Sequence, residues 1–507
     1  MDIQVGIDDI AVHMPRLYLS MQDFADLRSA SYAKLSKGLG LEAMAVPDVH
    51  EDPATMAANA VARLIDRNEL DPRTIGRLYL GTESALDGAK PTATYILDML
   101  TQRYQDRYGA ACFSRCDAVD LTFACIGAVD ALHNTLDWVA RADDEDRIGI
   151  VAFSDNAKYE RHSSGEYTQG AGAGAMIVRK DPRLLVIGPV FGVSTRAVHD
   201  FFKPRRKMPV RDMLEHVLHL ATKAGAELPD GLTDRMMQAL REGEDSLFEG
   251  ETITVHKDTP LFDGAFSNQC YRQAVKLAFG HFREESLRTG RMNTSDPVLT
   301  EQWSRIVCHL PYAFQGKRMF PDIFHHDRKH RADWAPVAEQ VGPAPARDDY
   351  ADEEAYQADR EAFRRSVSKT AEYRAFVDDK IERGQRASSL VGNQYTGSLF
   401  LALMSTLESD LSQGNDLAGA RIGLCGYGSG AKAKVFEGVV QPGWQAVTAQ
   451  FDLFGRLAER TPISAEQYET LHRGAQQTSV VSPSKEFVLR EVKGGDQEGQ
   501  RVYAWVA

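Results

Sequence analysis

The chain has 507 residues, 43% of them hydrophobic and 9% aromatic, enough for a sizeable core spread over more than one domain. A formal charge of −13 disfavours a nucleic-acid binder, and six scattered cysteines offer no disulfide framework. No secretory leader and no apolar run of membrane-spanning length is visible, so a cytoplasmic protein with no membrane contact is expected.

Taken in order, Ile3 to Val12 reads as a strand and Met21 to Ser29 as a short helix with Ser20 at its N-cap. Lys34 to Gly40 reads as a basic loop. A helical pattern runs from Asp52-Pro53 to Glu69, with Met56, Ala60, Leu64 and Ile65 on one side. Arg77 to Glu83 is a short strand with a carboxylate just past its end, where sites collect in open α/β sheets. Pro91 to Arg103 is helical in pattern.

The stretch Asp117-Ala-Val-Asp-Leu-Thr-Phe-Ala-Cys-Ile-Gly127 carries an apolar run to one cysteine, and a helical segment follows to Trp138. Cys125 then lies just before a helix N-terminus, where unpaired amides and the helix dipole favour a thiolate. A lone cysteine in an Ala/Gly-rich junction also suits plain core packing. Ala140 to Asp146 reads as an acidic turn, Arg147 to Asp155 as a strand, and Asn156 to Gly165 as a polar loop. The Gly-rich run Thr168 to Val178 lacks a phosphate-loop pattern and reads as a closely packed strand, and Leu184 to Val193 continues the β pattern.

His199-Asp-Phe-Phe-Lys-Pro-Arg-Arg-Lys207 mixes aromatic and basic residues, suited to an adenine ring and phosphates or to an ordinary basic loop. Residues 211 to 258 form a mixed-charge, mostly helical block that reads as an insertion. Ala265 to Phe282 is a helix, and Arg305 to Pro311 a strand that ends at His309. A charged region follows, with a histidine cluster at 325–330 and a long helix from Asp352 to about Arg383. The cluster lacks acidic or cysteine partners at ligand spacing, so no metal site is expected. Leu390 to Met404 is a loop entering an apolar helix, and Arg421 to Ala431 a strand leading to a Gly-rich turn. Alternating α and β elements with a coarse internal echo fit one large layered body.

Eight motifs stand in a fixed order: Gly81-Thr-Glu83, Phe123-Ala-Cys125, Ser154-Asp-Asn-Ala-Lys-Tyr159, Gly165 to Ala173, His199 to Pro204, His309-Leu-Pro-Tyr312, Gly392-Asn-Gln-Tyr-Thr-Gly-Ser-Leu399 and Gly426-Tyr-Gly-Ser-Gly430. In that order they resemble 3-hydroxy-3-methylglutaryl-CoA synthases of the thiolase superfamily, over nearly the whole chain except about 211–258 and 320–370. The resemblance implies an α/β thiolase-like fold of two similar halves, 1–195 and 196–507, in a five-layered αβαβα arrangement, in a homodimer.

The implied reaction joins acetyl-CoA to acetoacetyl-CoA through an acetyl-S-cysteine. Cys125 would be the nucleophile, Glu83 the general acid/base and His309 the group that holds the acceptor. Tyr159, Lys203, Asn393, Tyr395 and Ser429 would bind substrate. No metal or tightly bound cofactor is implied, since CoA thioesters are the substrates. Two alternatives stay open: a β-branching synthase whose partner substrate rides on an acyl carrier protein, and a non-catalytic scaffold. Ile126 departs from the aromatic residue common after the family's cysteine, which is expected to reshape the acyl pocket.

Overall fold

Near-continuous buried runs build the central strands of the first half. Its strands are β1 (Val5–His13), β2 (Ile75–Gly81), β3 (Asp117–Leu121), β4 (Ile148–Ala157) and β5 (Gly170–Lys180). The rest of the chain adds β6 (Leu185–Ile187), β7 (Gly192–Thr195), β8 (Arg305–Cys308), β9 (Arg421–Gly428) and β10 (Lys432–Val440). The computed structural model describes residues 4–142, 146–242, 251–292 and 298–507. Among these, ten strands form one sheet in the order β8-β9-β10-β6-β1-β5-β4-β2-β3, with β7 paired to β10. The short β6 joins the halves, since it pairs with both β1 and β10.

Alternation decides which helices each strand meets. On β4, Ile150 and Ala152 belong to one core cluster, while Val151 and Phe153 belong to another. The first cluster is filled by α1 (Pro53–Arg67) and α2 (Thr92–Tyr108), the second by α3 (Gly127–Ala140). The larger cluster also takes in α4 (Gly264–Arg288) and the apolar α5 (Ser398–Ser412) of the second half. The result is a layered α/β body, with helices on both faces of a mixed sheet.

Local signals set several boundaries. The Asp52 carboxylate accepts from the Thr55 amide at 2.8 Å, and the Thr55 hydroxyl accepts from the Asp52 amide at 2.8 Å, a capping box that starts α1 with Pro53 in its first turn. Ser20 caps the helix Met21–Arg28 by accepting from the Asp23 amide. Two expectations are corrected. Lys34–Gly38 is a π-helical turn rather than a loop. The single long helix from Asp352 is three helices, Glu353–Val367, Ala371–Lys380 and Glu382–Val391. Thr370 makes the first break, since its hydroxyl caps a new helix by accepting from the Tyr373 amide at 3.3 Å. The 211–258 block is mostly helical as expected, with helices Val210–Lys223 and Leu232–Glu242 and a short strand at Thr252–Val255. The expected acidic turn at 140–146 and this block fall in part on 143–145 and 243–250, outside the described residues.

The chain divides into a large unit, Met1–Asp200 with Gly264–Ala507, and a small one, Phe201–Asp263. The small unit holds the helices Val210–Lys223 and Leu232–Glu242, joined by an Arg211–Asp234 ion pair at 2.8 Å. It also holds two short antiparallel pairs: Arg206–Pro209 with Thr252–Val255, and Phe201–Phe202 with Leu261–Phe262. The histidine cluster at 325–330 packs in part: the His325 ring lies against Trp334 and Phe363. Among the described residues no helix is long and apolar enough to cross a membrane.

Candidate active site

Parallel pairing of β2 with β3 and β4 brings three strand ends together. Glu83 lies two residues past β2, and Cys125 four past β3 and two before α3. Gly81 sets their separation: a Cβ there would sit 2.2 Å from the Ala128 amide nitrogen, so only glycine lets the first turn of α3 lie on the strand end. Ala124, just before the cysteine, has φ +40°, the tight backbone that turns the chain out of the strand and into the helix. In the outcome, the half-buried Cys125 thiol donates to Glu83 Oε1 at 2.9 Å.

A buried carboxylate holds this geometry. Asp155, fully shielded at the end of β4, accepts from the Glu83 amide at 2.7 Å and from the Thr82 hydroxyl at 3.2 Å. Its other oxygen accepts from the Thr396 amide at 3.0 Å and hydroxyl at 2.5 Å. The Thr396 hydroxyl also lies 2.9 Å from the Gly81 carbonyl. Asp155 thus ties the Glu83 loop to the 393–397 turn of the second half.

That turn carries Asn393 and Tyr395. Asn393 is buried, and its side-chain oxygen accepts from the Tyr395 amide at 2.8 Å and the Ser398 hydroxyl at 3.2 Å. The Tyr395 ring lies 6.4 Å from that of Tyr159, and both are buried. Burial pushes both phenols up, and the neighbouring Cys125 and Glu83 add to it, so the four side chains lie close enough to act on one another. Ser429 is half-buried on the β9–β10 turn. Its neighbour Gly428 packs on the nucleophile loop so closely that a Cβ would meet the Phe123 carbonyl oxygen at 2.6 Å.

His309 follows β8, with its amide donating to the Cys425 carbonyl of β9 at 2.9 Å. One strand position on, Gly426 faces Ile126, so β9 lies between the histidine and the nucleophile loop. The Tyr271 hydroxyl donates to the His309 carbonyl at 2.5 Å, and the two rings meet edge to face at 6.0 Å. Burial drives the His309 imidazole down to about 3, so it is neutral. Among the described residues neither of its ring nitrogens has a hydrogen-bond partner, an arrangement that suits a group reserved for a ligand.

Comparison with known proteins gives the same direction. The hydroxymethylglutaryl-coenzyme A synthase N-terminal family model matches residues 2–182, and the C-terminal model matches 254–489. The chain belongs to the hydroxymethylglutaryl-CoA synthase family. It is therefore an acyl-transferring condensing enzyme. The Haloferax volcanii hydroxymethylglutaryl-CoA synthase is 28% identical over 509 residues, covering 99% of each chain. The Enterococcus faecalis synthase is 27% identical, covering 92% of this chain and 91% of its own. A solved structure of MvaS with 3-hydroxy-3-methylglutaryl coenzyme A is 30% identical and covers both chains fully, with a TM-score of 0.75.

Within this family member the fold brings together Glu83, Cys125, Tyr159 and Tyr395, with Asn393 and Ser429 on adjoining turns. Lys203 belongs to the small unit. Ile126 does not line an opened acyl pocket in place of a ring. Its side chain is fully buried, with its methyl groups toward Gly426 and Gly428. Asp155, Thr396 and Tyr271 are site residues that sequence reasoning misses. For Asp155 a signal exists: a carboxylate at the end of a fully buried strand needs partners. The partners of Tyr271 and Thr396 come from distant segments that no local pattern names.

Proposed function

We propose that the chain condenses acetyl-CoA with acetoacetyl-CoA to give 3-hydroxy-3-methylglutaryl-CoA and CoA. The observation that carries this reading is the 2.9 Å contact between Cys125 Sγ and Glu83 Oε1, in a member of the hydroxymethylglutaryl-CoA synthase family. Cys125 sulfur attacks the acetyl-CoA carbonyl, the C–S bond to CoA breaks, and CoA leaves as the thiol, carrying the proton that Cys125 gives up. Glu83 then removes a methyl proton from acetyl-S-Cys125. The resulting carbon attacks the ketone of acetoacetyl-CoA, and Glu83 returns the proton to the new alkoxide. Water hydrolyses the thioester to a carboxylate and frees Cys125.

His309, neutral at working pH, donates one hydrogen bond to the acceptor ketone, which its unpartnered ring nitrogens support. Backbone amides near Cys125 and Ser429 steady the enolate oxygen. Tyr159, Asn393 and Tyr395 shape the acceptor pocket. A basic cavity of about 790 Å³ is lined by Tyr312 of the His309-Leu-Pro-Tyr312 motif with Arg272, Lys317, Arg318, Arg364 and Arg374, though not by Glu83, Cys125 or His309 themselves. Its charge suits the phosphates of CoA, and part of it comes from the 320–370 segment. The chemistry asks for no metal or tightly bound cofactor. A cytoplasmic enzyme of the mevalonate route to isoprenoid precursors fits this reaction. The open edge at β3, where Val119 is 37% exposed, supports a homodimer.

The test has two parts. Peptide mass spectrometry after exposure to acetyl-CoA should find the acetyl adduct on Cys125 and none in folded Cys125→Ala. Then kcat/KM across acyl-CoA donors and across CoA-borne and carrier-borne acceptors should favour acetyl-CoA with acetoacetyl-CoA. A preference for a longer donor or a carrier-borne acceptor would reject the substrate pair.

A further inference from the structure

A second cavity, of about 840 Å³, opens beside α1, and neither Glu83, Cys125, Tyr159, Asn393, Tyr395 nor His309 lines it. Its wall carries Arg16, Arg63, Arg67, Arg103, Arg456 and Arg460 against the carboxylates Asp66, Glu459 and Glu486. In a chain of net charge −13, such a concentration of guanidinium groups calls for an account. Four of the six have carboxylate partners: Arg16 with Glu486, Arg67 with Asp9, Arg103 with Asp66 and Arg456 with Asp452.

Arg63 and Arg460 do not. Among the described residues, Arg63 donates to the Val12 carbonyl, and Arg460 to the Leu457 and Leu390 carbonyls at 3.1 and 2.9 Å. Neither meets a carboxylate there. Arg460 is 9% exposed, yet its Nη1 is buried without any partner among the described residues. Burial drives both guanidiniums down to about 10, and Arg456 and Arg67 push Arg63 further in the same direction. Buried cations left unpaired destabilise a fold, so a polar wall of this kind is better accounted for by an anion than by packing.

The neighbouring trio His13, Glu51 and Glu486 has ligand atoms within 4.8 Å of one another, which raises a metal as the alternative occupant. The surrounding field opposes it. Arg16 already holds Glu486 at 2.9 Å, and Arg63 is the strongest charge acting on His13. The same field attracts an anion.

We propose that this cavity binds a small molecule bearing two or more linked phosphoryl groups, at a site separate from the condensation centre. Guanidinium forks match phosphoryl oxygens in pairs, and the six come from several separate elements, more than one isolated phosphate can engage. The volume falls in the range of small-molecule sites.

The probe is inorganic pyrophosphate, added to the full chain at low salt with orthophosphate and citrate as comparisons. Pyrophosphate should raise Tm by a few degrees and bind more tightly than orthophosphate or citrate. Binding should persist when the condensation site is saturated with CoA. Arg63→Met should weaken pyrophosphate at least about tenfold while synthase kcat/KM stays within twofold of the parent. Its apo Tm should equal or exceed the parent's, because an unpaired cation has gone. If Arg63→Met does not fold, the more exposed Arg456→Gln decides, with the same tenfold loss expected. Absence of pyrophosphate binding, displacement by CoA, stronger binding of citrate, or full affinity in the folded variant would each overturn the proposal.

Discussion

The Cys125 thiol donates to the Glu83 carboxylate across 2.9 Å, although 42 positions separate the two residues. Parallel pairing of β2 and β3 brings their loops side by side, and the backbone of Gly81 lets α3 close on the strand end. A nucleophile and a carboxyl in one contact divide a Claisen-type reaction naturally. The sulfur holds the acyl group, and the carboxyl moves protons on the carbon next to it.

Glu83→Gln tests that division. The amide keeps the shape of the carboxyl but cannot take a proton. The variant should still acquire acetyl on Cys125, seen by intact mass, and should lose condensation by about 10²–10⁴-fold. Equal loss of both steps with an unchanged Tm would place Glu83 in the first step as well.

Asp155→Asn tests the clasp. Asp155 accepts from Glu83, Thr82 and Thr396 while wholly buried. An asparagine presents a donor to at least one of those donors. Thermal and denaturant unfolding should show a loss of about 1–3 kcal/mol. Because Glu83 is then held less firmly, condensation should fall further than acetylation. A variant of parental stability and rate would show that the clasp matters to neither.

Much of this is legible in the sequence, and the boundary has physical causes. The capping residues Ser20 and Asp52 are local signals, and both helices start where they stand. Glu83 and Cys125 are legible because each follows an apolar strand at its end. The helix from Asp352 reads as continuous because its charge pattern runs through Thr370, and only the cap reveals the break. The joining of the halves through β6 depends on two residues, Leu185 and Val186, that pair on both sides, a relationship no single stretch contains.

Ile126→Phe addresses the position where an aromatic residue is common. Ile126 is fully buried, and β9 passes so close that a Cβ on Gly426 or Gly428 would lie 3.5 or 2.9 Å from its side chain. A ring there meets backbone rather than an acyl chain. The expected result is overpacking, a loss of about 1–3 kcal/mol, with donor preference among acetyl, propionyl and butyryl thioesters unchanged. A shift toward longer donors at parental stability would return Ile126 to the acyl pocket.

His309 supplies a prediction in pH. Its imidazole titrates near 3 in the fold against about 6.5 when unfolded, so between these values the unfolded chain binds the extra proton. Its contribution to stability is therefore whole above pH 6.5 and declines as pH falls toward 3, with a limiting slope of about 1.4 kcal/mol per unit. His13, driven down to about 3 by burial, acts in the same sense, whereas Glu51, raised to about 7, acts oppositely between 4.5 and 7. The parent curve alone mixes these groups, and a comparison isolates one of them. His309→Asn removes the titrating ring and leaves the others in place. Chemical denaturation from about pH 7 to about pH 4 should show parent and variant converging as the pH falls, because only the parent loses the His309 contribution. The same variant should raise KM for the acceptor or lower kcat at neutral pH while still forming acetyl-S-Cys125, since a neutral donor has gone and the nucleophile has not. Curves that diverge as pH falls would mean that the fold raises the His309 pKa and holds the ring protonated. An imidazolium at that position would then polarise the acceptor as a charged group.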